Sequence, residues 1–123
     1  MSAAQPAARA RRRSSERQVS RIFQALADPT RRAVVERLSH GPDSMTAIAQ
    51  PFKMALPSFA QHMKVLEACG IVRSRKVGRV RSYELDLEPL ATLEAWMAHQ
   101  RAVWEQRLDR MEAVVAAMKR DGA

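Results

Sequence analysis

Between Pro57 and Val80 the chain sets short polar side chains on one segment and then crowds basic ones onto the next. Ser58, Gln61 and His62 are residue types that can meet base edges in a DNA major groove, where glutamine bonds adenine bidentately. Gln61 is the first choice among them, and His62 is equally suited to packing or hydrogen bonding inside a domain. Lys64 suits a phosphate or open solvent better than a base edge. Downstream, residues 72–86 hold Arg73, Arg75, Lys76, Arg79 and Arg81 against only Glu84 and Asp86. Cations on such a segment reach phosphates or a narrow minor groove without discriminating strongly among bases. Arg79, in the turn Val77-Gly78-Arg79-Val80, is the best placed, whereas Arg73 and Arg81 have nearby acids as alternative partners.

Other chemistries find little support. The 123 residues allow one domain with one modest core. Twenty-one Lys and Arg against 13 Asp and Glu leave a formal charge of +8, which favours a polyanionic partner. Cys69 is the only cysteine, so one chain can build neither an internal disulfide nor a thiolate zinc site, and a reducing cytoplasm fits best. No cofactor motif, nucleophile-base pair, glycine-bound carboxylate pair or phosphate loop is present, which argues against an enzyme. No apolar run approaches the ~20 residues of a membrane span, and no export leader is visible. The expected location is the cytoplasm, on the nucleoid.

The elements that must position these residues follow from period and punctuation. Residues 1–17 carry five arginines and one glutamate without apolar periodicity and read as a disordered basic arm. Order is expected from Gln18 to about Lys119, as a domain spanning 18–119. Val19, Ile22, Phe23 and Leu26 share one helical face. Asp28-Pro29 starts a second helix, with Val34, Val35 and Leu38 inward and His40-Gly41-Pro42 as its end. Arg31 and Arg32 at its start read as ion-pair partners of Asp28 or Glu36. Ser44 or Thr46 caps a short third helix bearing Ile48, Ala49 and Phe52. A fourth runs from about Leu56 to Cys69 around Phe59, Met63 and Leu66, and Gly70 stops it. Two strands follow, Arg73 to Val77 and Val80 to Asp86, with Tyr83, Leu85 and Leu87 on the inner face.

Glu88-Pro89 opens a last helix of roughly 45 Å at 1.5 Å per residue. Leu90, Met97, Trp104, Met111 and Met118 recur every seven residues, and Leu93, Leu108, Val114 and Val115 widen the stripe. That is more apolar surface than one small domain covers, so a second copy is the expected partner, with Ile22 and Phe23 of the first helix contributing. Trp96 and Trp104 are candidates to line a pocket for a small-molecule effector, against the simpler role of packing the interface. The architecture is mainly α with a minor β part: a winged helix-turn-helix in the order α-α-α-α-β-β-α with a long C-terminal dimerisation helix.

Three segments in this order resemble the ArsR family of bacterial transcription repressors. Ala25-Leu-Ala-Asp-Pro-Thr-Arg-Arg32 looks like that family's entry to the second helix, Pro57 to Val72 its recognition helix and following strand, and Val77-Gly-Arg-Val-Arg-Ser-Tyr83 its wing. Pro51-Phe-Lys-Met54 is similar to the branch without metal sites. The resemblance, over about residues 18–118, implies a homodimer repressing transcription at an inverted repeat of double-stranded DNA, with no metal and no cofactor. Ala55 and Ala60 depart from it where relatives often carry serine; the first removes a helix cap and the second a polar contact. The alternative function is a winged-helix interaction module that recruits another protein through its last helix.

Overall fold

Asp28 and Gly70 punctuate the N-terminal part of the chain, and the structure, a computed structural model describing residues 4–122, turns at both. The first helix, α1 (Ala4–Leu26), precedes α2 (Pro29–Leu38), whose cap is the Asp28 carboxylate accepting from the Thr30 and Arg31 amides. Ser44 caps α3 (Met45–Ala49) by accepting from the Ala47 amide. After Phe52, whose ring tilts against Phe59 at 5.2 Å, α4 (Leu56–Ala68) begins.

Gly70 then takes a φ of +84°, which a side chain rarely adopts. The chain continues into the hairpin β2 (Val72–Val77) and β3 (Val80–Leu85), closed by Gly78 at φ +65°. A two-residue loop between paired Val77 and Val80 needs such a glycine. Asp86 accepts from the Glu88 amide at the start of α5 (Leu87–Asp121).

One core holds the helices to the sheet. Val19, Ile22 and Ala25 of α1, Val34 and Leu38 of α2, Ile48 of α3, Phe59, Met63 and Leu66 of α4, and Ile71, Val72 and Tyr83 are buried. Each large side chain contributes roughly 1.5–3 kcal/mol by leaving water. The chain divides into two units, one ending at Thr92 and one beginning at Leu93. In the second, α5 is helical to Asp121, and its side chains are almost all exposed.

Four expectations are corrected. The arm is helical from Ala4 rather than disordered to Arg17, residues 1–3 lying outside the described residues. Alanine and arginine are strong helix formers, and Pro6 sits in the first turn, where its missing amide costs nothing; absent periodicity signalled absent burial, not absent helix. A two-residue strand, β1 (Asp43–Ser44), pairs with Ser82 and Tyr83, giving the sheet order β1-β3-β2. Two residues are too short to carry a period. Leu87 is exposed as the first residue of α5, because the strand ends at Leu85 and the Asp86 cap redirects the chain. Ile22 is wholly enclosed in the protomer's own core, so it has no surface to offer a second copy.

Candidate nucleic-acid interface

The inward face of α4 is occupied by Phe59, Met63 and Leu66. At 100° per residue, the opposite side falls to Gln61, flanked by Lys64 and Ser58, and all three are exposed. None has a hydrogen-bond or ionic partner among the described residues, so their polar atoms are available to a ligand. Ala55, at the head of this helix, makes no side-chain cap bond, as its lack of a hydroxyl requires. Pro57 has no amide hydrogen, which leaves the Leu56 and Ser58 amides as open donors beside the exposed Ser58 hydroxyl.

His62 lies on the shoulder of α4 and is half-buried. Its Nδ1 is 3.2 Å from an Arg31 guanidinium nitrogen and 3.8 Å from the Asp28 carboxylate. It is therefore tied to the start of α2 rather than standing free with Gln61. Arg31 also donates to the Ala25 carbonyl at 2.6 Å and the Gln24 carbonyl at 3.1 Å, and Arg32 donates to the Leu26 carbonyl at 2.7 Å. These arginines cap the last carbonyls of α1, of which that of Gln24 also accepts from the Ala27 amide, and positive charge there suits the helix dipole; among the described residues they are not side-chain ion-pair partners of Asp28 or Glu36. Burial pushes the Asp28 carboxyl up, but the Arg31 amide, the charge of His62, the Thr30 amide and the charge of Arg31 together hold it below its ordinary value. The junction thus fixes α4 against α1 and α2 through charge as well as packing.

On the hairpin, register decides each cation's role. Arg73 faces Glu84 across the strands and lies 3.6 Å from it and 3.8 Å from Asp86. Arg81 donates to the Ser74 hydroxyl at 3.0 Å. Arg75, Lys76 and Arg79 are exposed and have no partner among the described residues. Lys76 stands directly across from Arg81, a like-charge pairing that costs stability in the free sheet. Beneath it Tyr83 packs inward, its hydroxyl pushed up by burial and Glu67 and opposed by Arg81. The hairpin therefore presents two cations already satisfied, Arg73 near its base and Arg81 next to its turn, and three others, Arg75, Lys76 and Arg79, held ready for an external anion.

Among the described residues no three His, Cys, Asp or Glu side chains come together as a metal site would need, and no helix is long and apolar enough to cross a membrane. The Cys69 thiol is buried and donates to the Leu66 carbonyl at 3.3 Å. Sequence reading missed the part played by Arg31 and Ser74. Arg31 meets His62 across 31 positions, beyond any local period, whereas Ser74 opposite Tyr83 was accessible once the hairpin register was known.

A helix-turn-helix followed at once by a basic two-stranded wing is the architecture of a DNA-binding protein. Residues 26–75 match the helix-turn-helix domain family. An HTH-type transcriptional regulator of Mycobacterium tuberculosis is 45% identical over 80 residues, which cover 65% of this chain and 75% of that one. The transcriptional repressor SdpR of Bacillus subtilis is 28% identical over 79 residues, or 64% and 88% of the two chains. The crystal structure of an ArsR family transcriptional regulator matches with a TM-score of 0.69 and 52% identity, over 73% of this chain and 93% of that one. The chain belongs to the ArsR family of winged helix-turn-helix transcriptional regulators, which are DNA-binding proteins and not enzymes.

Proposed function

We propose that this protein is a homodimeric repressor that binds an inverted-repeat operator in the cytoplasm. Gln61, aided by Ser58, reads base edges from α4, while Lys64, Arg75, Lys76 and Arg79 hold the backbone and Arg73 and Arg81 serve mainly to shape the wing. His62 acts indirectly, by fixing the angle of α4. The observation that carries this reading is the coincidence of a polar face on α4 and cations on the hairpin beside it, both without partners among the described residues. Repression, as the direction of control, is supported by the likeness to SdpR.

The apolar side of α5 supports the dimer. Met97, Trp104, Leu108, Met111, Val115 and Met118 are each 49–66% exposed, at heptad-related positions on one helix. Arg107 lies over the Trp104 ring, 6.0 Å from its centroid. We assign Phe23 of α1 and the half-buried Leu90 and Leu93 to dimerisation as well, in a contact where like surfaces meet across a two-fold axis. Two α4 helices so related would enter successive major grooves about 34 Å apart.

Hydroxyl-radical footprinting on the DNA upstream of the protein's own gene tests this arrangement. Two protected patches on one side of the duplex, about one helical turn apart, are expected. A single patch, or none, would refute the two-fold reading.

A further inference from the structure

We infer that the N-terminal part of α1 is a second DNA-binding element, a helical arginine arm that lies on the phosphate backbone in addition to α4 and the wing. This rests on the DNA-binding reading above. Arg9, Arg13, Arg17 and Arg21 follow one another at intervals of four, so all stand on one side of α1. At 1.5 Å per residue they are spaced by about 6 Å and span about 18 Å, the axial advance of roughly five nucleotides of one strand. Arg12 flanks this row, and Glu16 is the only acid in residues 4–18.

Among the described residues no ion pair offsets the cost of this row. Like charges four apart on a helix repel, and here three such pairs follow in succession. Residues 9–17 are all exposed, so the segment gains no burial energy in return. Charge is what the arm has to offer. Arginine in place of lysine adds a planar fork that matches phosphate oxygens in pairs. The arginines also line two shallow grooves along the helix, one with Arg9, Arg12 and Arg13 and one with Arg13, Arg17, Ser20 and Arg21, and Glu16 lines both.

Duplex DNA is the occupant these features favour. The partnerless wing cations already select a polyanion, and α1 from Val19 onward is packed into the same core as α4. A lipid surface fits less well, because residues 4–18 contain no bulky apolar side chain to enter it.

The test uses the full chain with R9Q, R12Q, R13Q and R17Q, glutamine being as good a helix former as arginine. Its binding to a labelled random-sequence duplex of about 40 base pairs is followed by anisotropy from about 50 to 200 mM salt. Removing one phosphate-binding cation should reduce the slope of log K against log salt by about 0.9, so a slope shallower by about 2 or more per protomer is expected. The corresponding R9K, R12K, R13K, R17K chain should recover most of it, with far-ultraviolet circular dichroism unchanged in both. An identical slope in parent and glutamine variant, or a reduction that lysine does not reverse, overturns the arm. So does a glutamine variant that loses only binding to phosphatidylserine vesicles, which would assign the arm to lipid. A parent chain that ignores the duplex altogether defeats the DNA reading itself, and the arm with it.

Discussion

Gln61 and Arg79 separate two kinds of binding that charge alone would merge. Gln61 faces away from the α4 core with no partner among the described residues, so its amide can be spent on a base edge. A bidentate contact discriminates by about 1–3 kcal/mol; Gln61→Ala should therefore weaken operator binding by roughly 10- to 100-fold and leave random duplex nearly unaffected. Uniform weakening on both would show that it only holds the backbone. Arg79→Ala should do the reverse, weakening all duplexes alike and reducing the salt slope by about 1 per protomer. Asp28 makes a prediction about pH. Its carboxyl is held below the ordinary value in the folded protein. A depressed carboxyl contributes stability that is full above its unfolded pKa and is lost as pH falls through the folded one. The thermal midpoint of the native chain should thus drop more steeply below about pH 4 than that of Asp28→Asn, which can still cap α2 but does not titrate. Parallel profiles would remove Asp28 from the acid response.

The elements show where the sequence could be read and where it could not. Asp28-Pro29, Gly70 and Gly78 are punctuation with a local cause, and the ends of α2, α4 and the hairpin fall beside them. Gln61, Ser58 and Lys64 were legible for the same reason, since a period of 3.6 alone sets them opposite Phe59, Met63 and Leu66. By contrast, β1 exists only because Ser82 and Tyr83 offer it a ladder, and the first turns of α1 rest on propensity without burial. The contact between His62 and Arg31 joins two helices and has no local signature. At this scale the open end of α4 is also testable. Ala55→Ser supplies an acceptor for the free amides of the first turn and should stabilise the unbound protein by about 0.5–2 kcal/mol. If a phosphate already satisfies those amides in the complex, operator affinity should change much less than the thermal midpoint. An equal gain in both would contradict that use of the helix end.

For the whole molecule, two copies must act together if a two-fold operator is to be read. The exposed stripe on α5 is the surface proposed for that union, and Met111 lies within it. Met111→Glu should shift sedimentation from dimer to monomer at micromolar concentration. It should also lower operator affinity by more than tenfold, because each half-site would then be bound without its neighbour. A variant that stays dimeric would move the interface elsewhere. The central claim, that α4 and the wing grip duplex DNA and read it, is tested most directly by anisotropy of the unaltered protein. The duplex from its own upstream region is compared with a scrambled duplex across a salt series. Binding to the upstream duplex should be tighter by about 10³ or more, and affinity should fall by about 10³–10⁵ between 50 and 200 mM salt if a dimer makes some 6–10 phosphate contacts. Binding indifferent to both sequence and salt would contradict it.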